Sequence, residues 1–190
     1  RLQWVTGVQT CALPILLVMC GGGDEKGFLK SFLSEISDIG TLHFHIVIGA
    51  YNKDKKELKK RYEGRDNIYM YENISNINEV MRMCDIAVSA AGNTLYELCA
   101  VGTPTIFFTY SYNQKYDYIG FTENDIMLYA GNIDDGKERI IKNITRYVTS
   151  LIDNREERFK MSNKMTYLID GLGAKRIVKN ILEDEKNVDN

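Results

Sequence analysis

The stretch from Asp85 to Phe108 constrains the fold more than any other part of the chain, because it reads as strand, small-residue turn, helix, Gly-Pro stop and strand in direct succession. Ile86 to Val88 are apolar and partly β-branched, as in a strand buried on both faces, and Ser89, Ala90, Ala91 and Gly92 make a turn with almost no side-chain bulk. Thr94 and Glu97 stand at capping-box spacing for a helix start. Leu95, Leu98 and Cys99 share one face, and Gly102 followed by Pro104 ends the helix. Such a unit aims backbone N–H groups and a positive helix end at its turn, so its natural ligand is an anion, most often a phosphate.

The same pattern recurs along the chain. The apolar run from Leu16 to Cys20 is closed by Gly21, Gly22, Gly23 and Asp24, and a helical spacing of Phe28, Leu29, Phe32, Leu33 and Ile36 follows. His43 to Gly49 and Asn67 to Tyr71 read as the next strands, separated by a charged helix from Asp54 to Tyr62. Glu72, Asn73 and Ile74 form an exit loop, and Ile77, Val80 and Met81 line a short helix. Beyond Phe108, a polar and aromatic loop enters a helix from Gln114 to Thr122, and Ile126 to Tyr129 read as a last short strand. Helices are expected over Lys137 to Ile152, Asn154 to Tyr167 and Ala174 to Glu185. The pattern predicts an α/β fold: a Rossmann-like, open, mostly parallel six-stranded sheet with helices on both faces and ligands beyond the C-terminal strand ends.

Composition narrows the function classes. With 190 residues, 44% of them apolar, and a net charge of -2, the chain suits one domain with a full core. No basic stripe rises above a mixed Lys/Glu pattern, which argues against nucleic acid as a partner. Cys11, Cys20, Cys84 and Cys99 show no metal-ligand spacing and read as reduced core residues. His43 and His45 lie in a strand pattern and read as structural. No transmembrane segment is expected, since no run reaches the roughly 18 apolar residues of a span. The expected location is cytoplasmic, with peripheral attachment to the inner membrane face left open.

Val5 to Ile15 match, codon by codon, the translation of a common sequencing adapter. Residues 1–15 are therefore expected to be an assembly artefact, 16–186 the domain, and 187–190 a frayed tail. On this reading the chain is the C-terminal part of a longer protein.

Taken together, these segments resemble the C-terminal domain of GT-B nucleotide-sugar enzymes, of the glycosyltransferase family 28 C-terminal type. The resemblance rests on the Gly21 to Gly23 turn, the segment Ser89 to Leu98, Gly102 to Pro104, Asn113 with Gln114, and Asp170, Gly171, Gly173 and Ala174. Within that group the chain looks most like the UDP-sugar hydrolase of pseudaminic acid synthesis, a nonulosonic acid pathway. It is more distantly similar to the N-acetylglucosaminyltransferase that makes lipid II.

The resemblance implies a UDP-sugar ligand and no metal or other cofactor. Amides at Gly21, Gly22 and Gly23 and at Ala91, Gly92, Asn93 and Thr94 would hold the diphosphate. Glu97 would accept from the ribose hydroxyls, Asn73 and Ile74 would line the uracil edge, and Asn113 and Gln114 would reach the sugar. Two readings of the residues themselves stay open: Glu97 as a capping-box partner of Thr94, and Asn113 with Gln114 as a helix N-cap. No catalytic residue is expected here, because the resembled enzymes carry a histidine in a Gly-x-Gly-His loop of their N-terminal domain. The hydrolase is the first functional expectation. The alternative is the C-terminal half of a transferase, or a separate subunit that completes its site with a partner chain.

Overall fold

A computed structural model describes residues 13–110 and 114–188, with side chains through residue 182. The residues 1–12 of the expected adapter artefact, Asn113, and the last two residues of the tail lie outside the described residues.

Six strands form one sheet: β1 Ile15–Met19, β2 His43–Val47, β3 Ile68–Tyr71, β4 Ile86–Ala90, β5 Thr105–Thr109 and β6 Leu128–Asn132. Their order is β3-β2-β1-β4-β5-β6, and every described pairing is parallel. The expected "mostly parallel" sheet is therefore parallel throughout, which brings all six C-terminal strand ends to one edge. β1 opens at Ile15, whose N–H donates to an Asp85 carboxylate oxygen at 2.9 Å, while the Pro14 carbonyl accepts from the His43 amide at 3.0 Å.

The strand sequences explain the two-faced burial. Leu16, Val18, Phe44, Ile46, Ile86, Val88, Ile106 and Phe108 pack on one face against α1 (Phe28–Ile36), α2 (Lys55–Tyr62) and α6 (Lys137–Asp153). Leu17, Met19, Ala87 and Phe107 face α3 (Ile77–Met83), α4 (Asn93–Val101), α5 (Lys115–Thr122) and α7 (Arg155–Leu168). Alternate residues of one strand thus serve two cores, which is why the strands read as continuous apolar runs. The five apolar residues expected on one face of α1 are all buried. Phe28 stacks on Phe108 with ring centroids 4.2 Å apart, fixing α1 over the C-terminal end of β5.

Two sequence boundaries shift. β6 begins at Leu128 rather than Ile126, because Ile126 and Met127 are buried in the connection after Asp125, whose φ is +48°. Their apolarity reflects burial without strand pairing. α4 begins at Asn93 with Gly92 at the N-cap, so Thr94 and Glu97 lie inside the helix and the capping box does not form. The Gly-Pro stop does form: Gly102 takes φ +82°, and the amides of Gly102 and Thr103 both donate to the Leu98 carbonyl. α8 (Gly173–Val188) follows the break at Asp170 to Leu172, and its Ile177, Val178, Ile181 and Leu182 are all more than half exposed.

Candidate functional site

The order β3-β2-β1-β4-β5-β6 places the topological switch point between β1 and β4, the position at which open α/β sheets bind ligands. Both small-residue turns leave the sheet there. Met19 pairs with Ser89 in the β1/β4 register, so Gly21 and Ala91, each two residues further on, exit level with one another. Neighbouring strands lie about 4.8 Å apart, so the two turns are adjacent.

The turns differ in their local chemistry. At α4, Gly92 takes φ +136° and offers no side-chain cap. The Ala91 amide donates to the Phe108 carbonyl at 2.8 Å. Among the described residues, the amides of Gly92, Asn93 and Thr94 donate to no internal acceptor, and the Asn93 and Thr94 side chains have no hydrogen-bond partner. These donors and the positive end of α4 face the strand edge. At α1, by contrast, the Asp24 carboxylate accepts from the Phe28 amide at 2.8 Å and the Leu29 amide at 2.9 Å. The N-terminus of α1 is therefore occupied by the protein's own acidic group. What remains open on that side is the turn itself, where the amides of Gly22 and Gly23 have no internal acceptor among the described residues.

The glycine turn is held from behind. A Cβ on Gly49 would sit 2.3 Å from the Gly21 carbonyl oxygen and 2.4 Å from that of Gly22, and the Tyr51 amide donates to the Gly22 carbonyl at 2.9 Å. Gly49, at the exit of β2, lets two backbones touch.

Glu97 is exposed, with no hydrogen bond or ion pair among the described residues, one turn along α4 from the open amides. The capping-box alternative for it is gone, which leaves both carboxylate oxygens free to accept. Gln114 occupies the N-cap position of α5 without capping it. Its Oε1 accepts from the Tyr110 amide at 2.7 Å and its Nε2 donates to the Ala91 carbonyl at 2.9 Å, which ties the β5 exit to the α4 turn. Asn73 follows β3 with φ +50° and is exposed, and Ile74 packs on the same core cluster as Ala91. β3 lies three strand spacings from β4, about 14 Å, so a ligand reaching from Asn73 to Thr94 is extended rather than a compact anion. Glu72 beside it is paired with Lys55 at 2.7 Å and with Lys59, and those hydrogen bonds hold its carboxyl below the usual range.

Sequence reasoning did not assign the contacts of three residues: Gly49, Asp24 and Tyr110. The Tyr110 hydroxyl donates to Asp24 Oδ1 at 2.5 Å and its carbonyl accepts from Lys26 Nζ at 2.8 Å. A glycine ending a strand pattern was the visible signal for the first; the other two join positions 86 residues apart, which no local pattern marks. The histidines stand away from this edge: His45 is buried in mid-strand with Nδ1 2.8 Å from the Tyr71 hydroxyl, and burial lowers its pKa. Cys20, Cys84 and Cys99 are free and buried, and burial pushes the Cys84 and Cys99 thiols up to about 12. Among the described residues, no group of three or more His, Cys, Asp or Glu side chains is placed to hold a metal ion, and no helix is long and apolar enough to cross a membrane.

An all-parallel sheet with two open turns at its switch point defines a Rossmann-type α/β domain of the kind that forms the C-terminal half of GT-B proteins. Within that class the chain belongs to the glycosyltransferase family 28 C-terminal domain family, whose pattern matches residues 15–181. It is 33% identical over 125 residues to the Helicobacter acinonychis UDP-N-acetylglucosamine--N-acetylmuramyl-(pentapeptide) pyrophosphoryl-undecaprenol N-acetylglucosamine transferase, covering 62% of this chain and 35% of that protein. It is 25% identical over 175 residues to the Bacillus subtilis spore coat polysaccharide biosynthesis protein SpsG, covering 89% of this chain and 50% of that one. The chain thus spans a third to a half of the length of these two relatives. In fold it matches Acinetobacter baumannii MurG with a TM-score of 0.68 at 15% identity, over 90% of this chain and 52% of that one. It also matches the Neisseria meningitidis UDP-GlcNAc 2-epimerase solved with UDP-GlcNAc, with a TM-score of 0.61 at 19% identity, over 90% of this chain and 44% of that one.

Proposed function

We propose that this chain is the nucleotide-sugar-binding C-terminal half of a MurG-like GT-B glycosyltransferase, and that its ligand is a UDP-sugar held along the C-terminal edge of the sheet. The observation that carries the reading is the pair of level turns at the switch point, with open amides at Gly22 and Gly23 on one and Gly92, Asn93 and Thr94 on the other. Together they supply the donors that a diphosphate needs, without a metal ion. Glu97 accepts from the ribose hydroxyls, and Asn73 and Ile74 flank the base. Asn113 and Gln114 are assigned to the sugar, and Gln114 also anchors Ala91. In glycosyl transfer the leaving group is UDP, and amides fixed before the reaction stabilise the charge that grows on it.

The transferase reading moves ahead of the hydrolase because the Helicobacter relative is a named N-acetylglucosamine transferase, and neither the match to it nor the match to SpsG supports the pseudaminic hydrolase branch. The transferred sugar and its acceptor belong to the whole enzyme. We place the reacting groups in an N-terminal half, in the same chain or in a partner subunit. The apolar stripe of Ile177, Val178, Ile181 and Leu182 on α8 supports such a partner, since each of these side chains is more than half exposed. A cytoplasmic site of action, with peripheral membrane contact made by the whole enzyme, fits a UDP-sugar donor.

Backbone amide NMR with added UDP tests the reading. Shifts concentrated at Gly22, Gly23, Asn73, Gly92, Asn93 and Thr94 are expected; shifts elsewhere with none at these positions would refute it.

A further inference from the structure

We propose that Tyr110 and Asp24 are positioning residues for the diphosphate site, a role that rests on the nucleotide reading above. Asp24 is buried, takes φ +48°, and offers its carboxylate to donors from several elements. Besides the Phe28 and Leu29 amides, it accepts from the Tyr110 hydroxyl at 2.5 Å and, at the limit of bonding distance, from Asn52 Nδ2 at 3.5 Å. Capping α1 requires only the two amides. The phenol arrives from the exit of β5 and locks the glycine turn to that strand.

The turn needs this lock because its donors are open. Among the described residues the Gly22 and Gly23 amides make no internal hydrogen bond that would fix their orientation, so the turn is held by Gly49 behind it and by Asp24 after it. Tyr110 is fixed in three directions: its amide donates to Gln114 Oε1, its carbonyl accepts from Lys26 Nζ, and its hydroxyl reaches Asp24. Gln114 in turn holds the Ala91 carbonyl, and Lys26 is paired with Asp134 beyond β6. One residue therefore links the β1 turn, the α4 turn and the β6 exit. The two sets of open amides keep a constant separation, as preorganised recognition of a two-phosphate group requires.

The test is Tyr110→Phe in the full chain, with UDP and UMP affinities measured by calorimetry. UDP is expected to bind about tenfold more weakly while UMP changes by less than about twofold, so the preference for two phosphates shrinks. A purely structural role would lower both affinities alike, and that result, or no change in either, would overturn the proposal. Backbone amide NMR of the ligand-free variant gives a second readout. Shifts are expected at Gly22 and Gly23 and also at Gly92 to Thr94; shifts confined to Asp24 and Tyr110 would overturn the proposal. Should the wild-type chain bind neither nucleotide, the functional reading falls, and the ligand-free shifts alone decide whether the pair holds both turns.

Discussion

A methyl group on Gly49 would lie 2.3 Å from the carbonyl oxygen of Gly21, so the exit of β2 and the glycine turn after β1 are packed backbone to backbone. The contact has no flexible side chain that could yield. Gly49→Ala must push the turn toward the ligand edge, and a cost of about 1 to 3 kcal/mol is expected from overpacking. Urea denaturation measures the stability loss, and UDP affinity is expected to fall with it.

Gln114 holds Ala91 through a donor and Tyr110 through an acceptor. Gln114→Glu keeps the acceptor and sets a carboxylate oxygen against the Ala91 carbonyl. A destabilisation of about 1 to 3 kcal/mol is expected, the range for a lost partner at a half-buried polar site. Gln114→Ala loses both bonds without that repulsion. Parallel denaturation curves are expected to rank wild type above Ala and Ala above Glu.

Glu97 is exposed and has no partner among the described residues. Its replacement by alanine is expected to leave the melting temperature unchanged within about 1 °C, the behaviour of a surface site away from special features. With Glu97 in its proposed role at the ribose, UDP binding is expected to weaken by about 1 to 3 kcal/mol. Unchanged affinity in calorimetry would remove Glu97 from the site.

Burial, and then the charge of neighbouring His43, lowers the pKa of His45 below its ordinary value. The folded state then binds fewer protons than the unfolded chain between the two pKa values, so stability rises with pH through that window. His45 is expected to contribute a stability loss as pH falls below about 6.5, the unfolded value. Denaturation at pH 7.5 and 5.5 checks this: the difference is expected to shrink in His45→Gln.

Much of the fold was legible because each signal was local. The glycines at 21 to 23 and at 92, the five apolar residues of α1, and Gly102 with Pro104 fix turns and ends by their own backbone or burial needs. Other features depended on distant partners. Thr94 and Glu97 have the spacing of a capping box, but the helix begins earlier because Gly92 adopts φ +136° and Ala91 is pinned by Phe108. Ile126 and Met127 look like strand because they are buried, yet pairing starts at Leu128. At the site, the open turns were readable, whereas the Asp24 to Tyr110 bond exists only once β1 and β5 share a sheet.

The proposed role of the two level turns at the switch point is to bind the diphosphate of a uridine nucleotide without metal. Calorimetric titration of UDP into the wild-type chain, in buffer containing EDTA, tests it most directly. Saturable binding at a single site is expected, with ADP bound more weakly. No binding of UDP at millimolar concentration, or binding that appears only when a divalent cation is added, would contradict it.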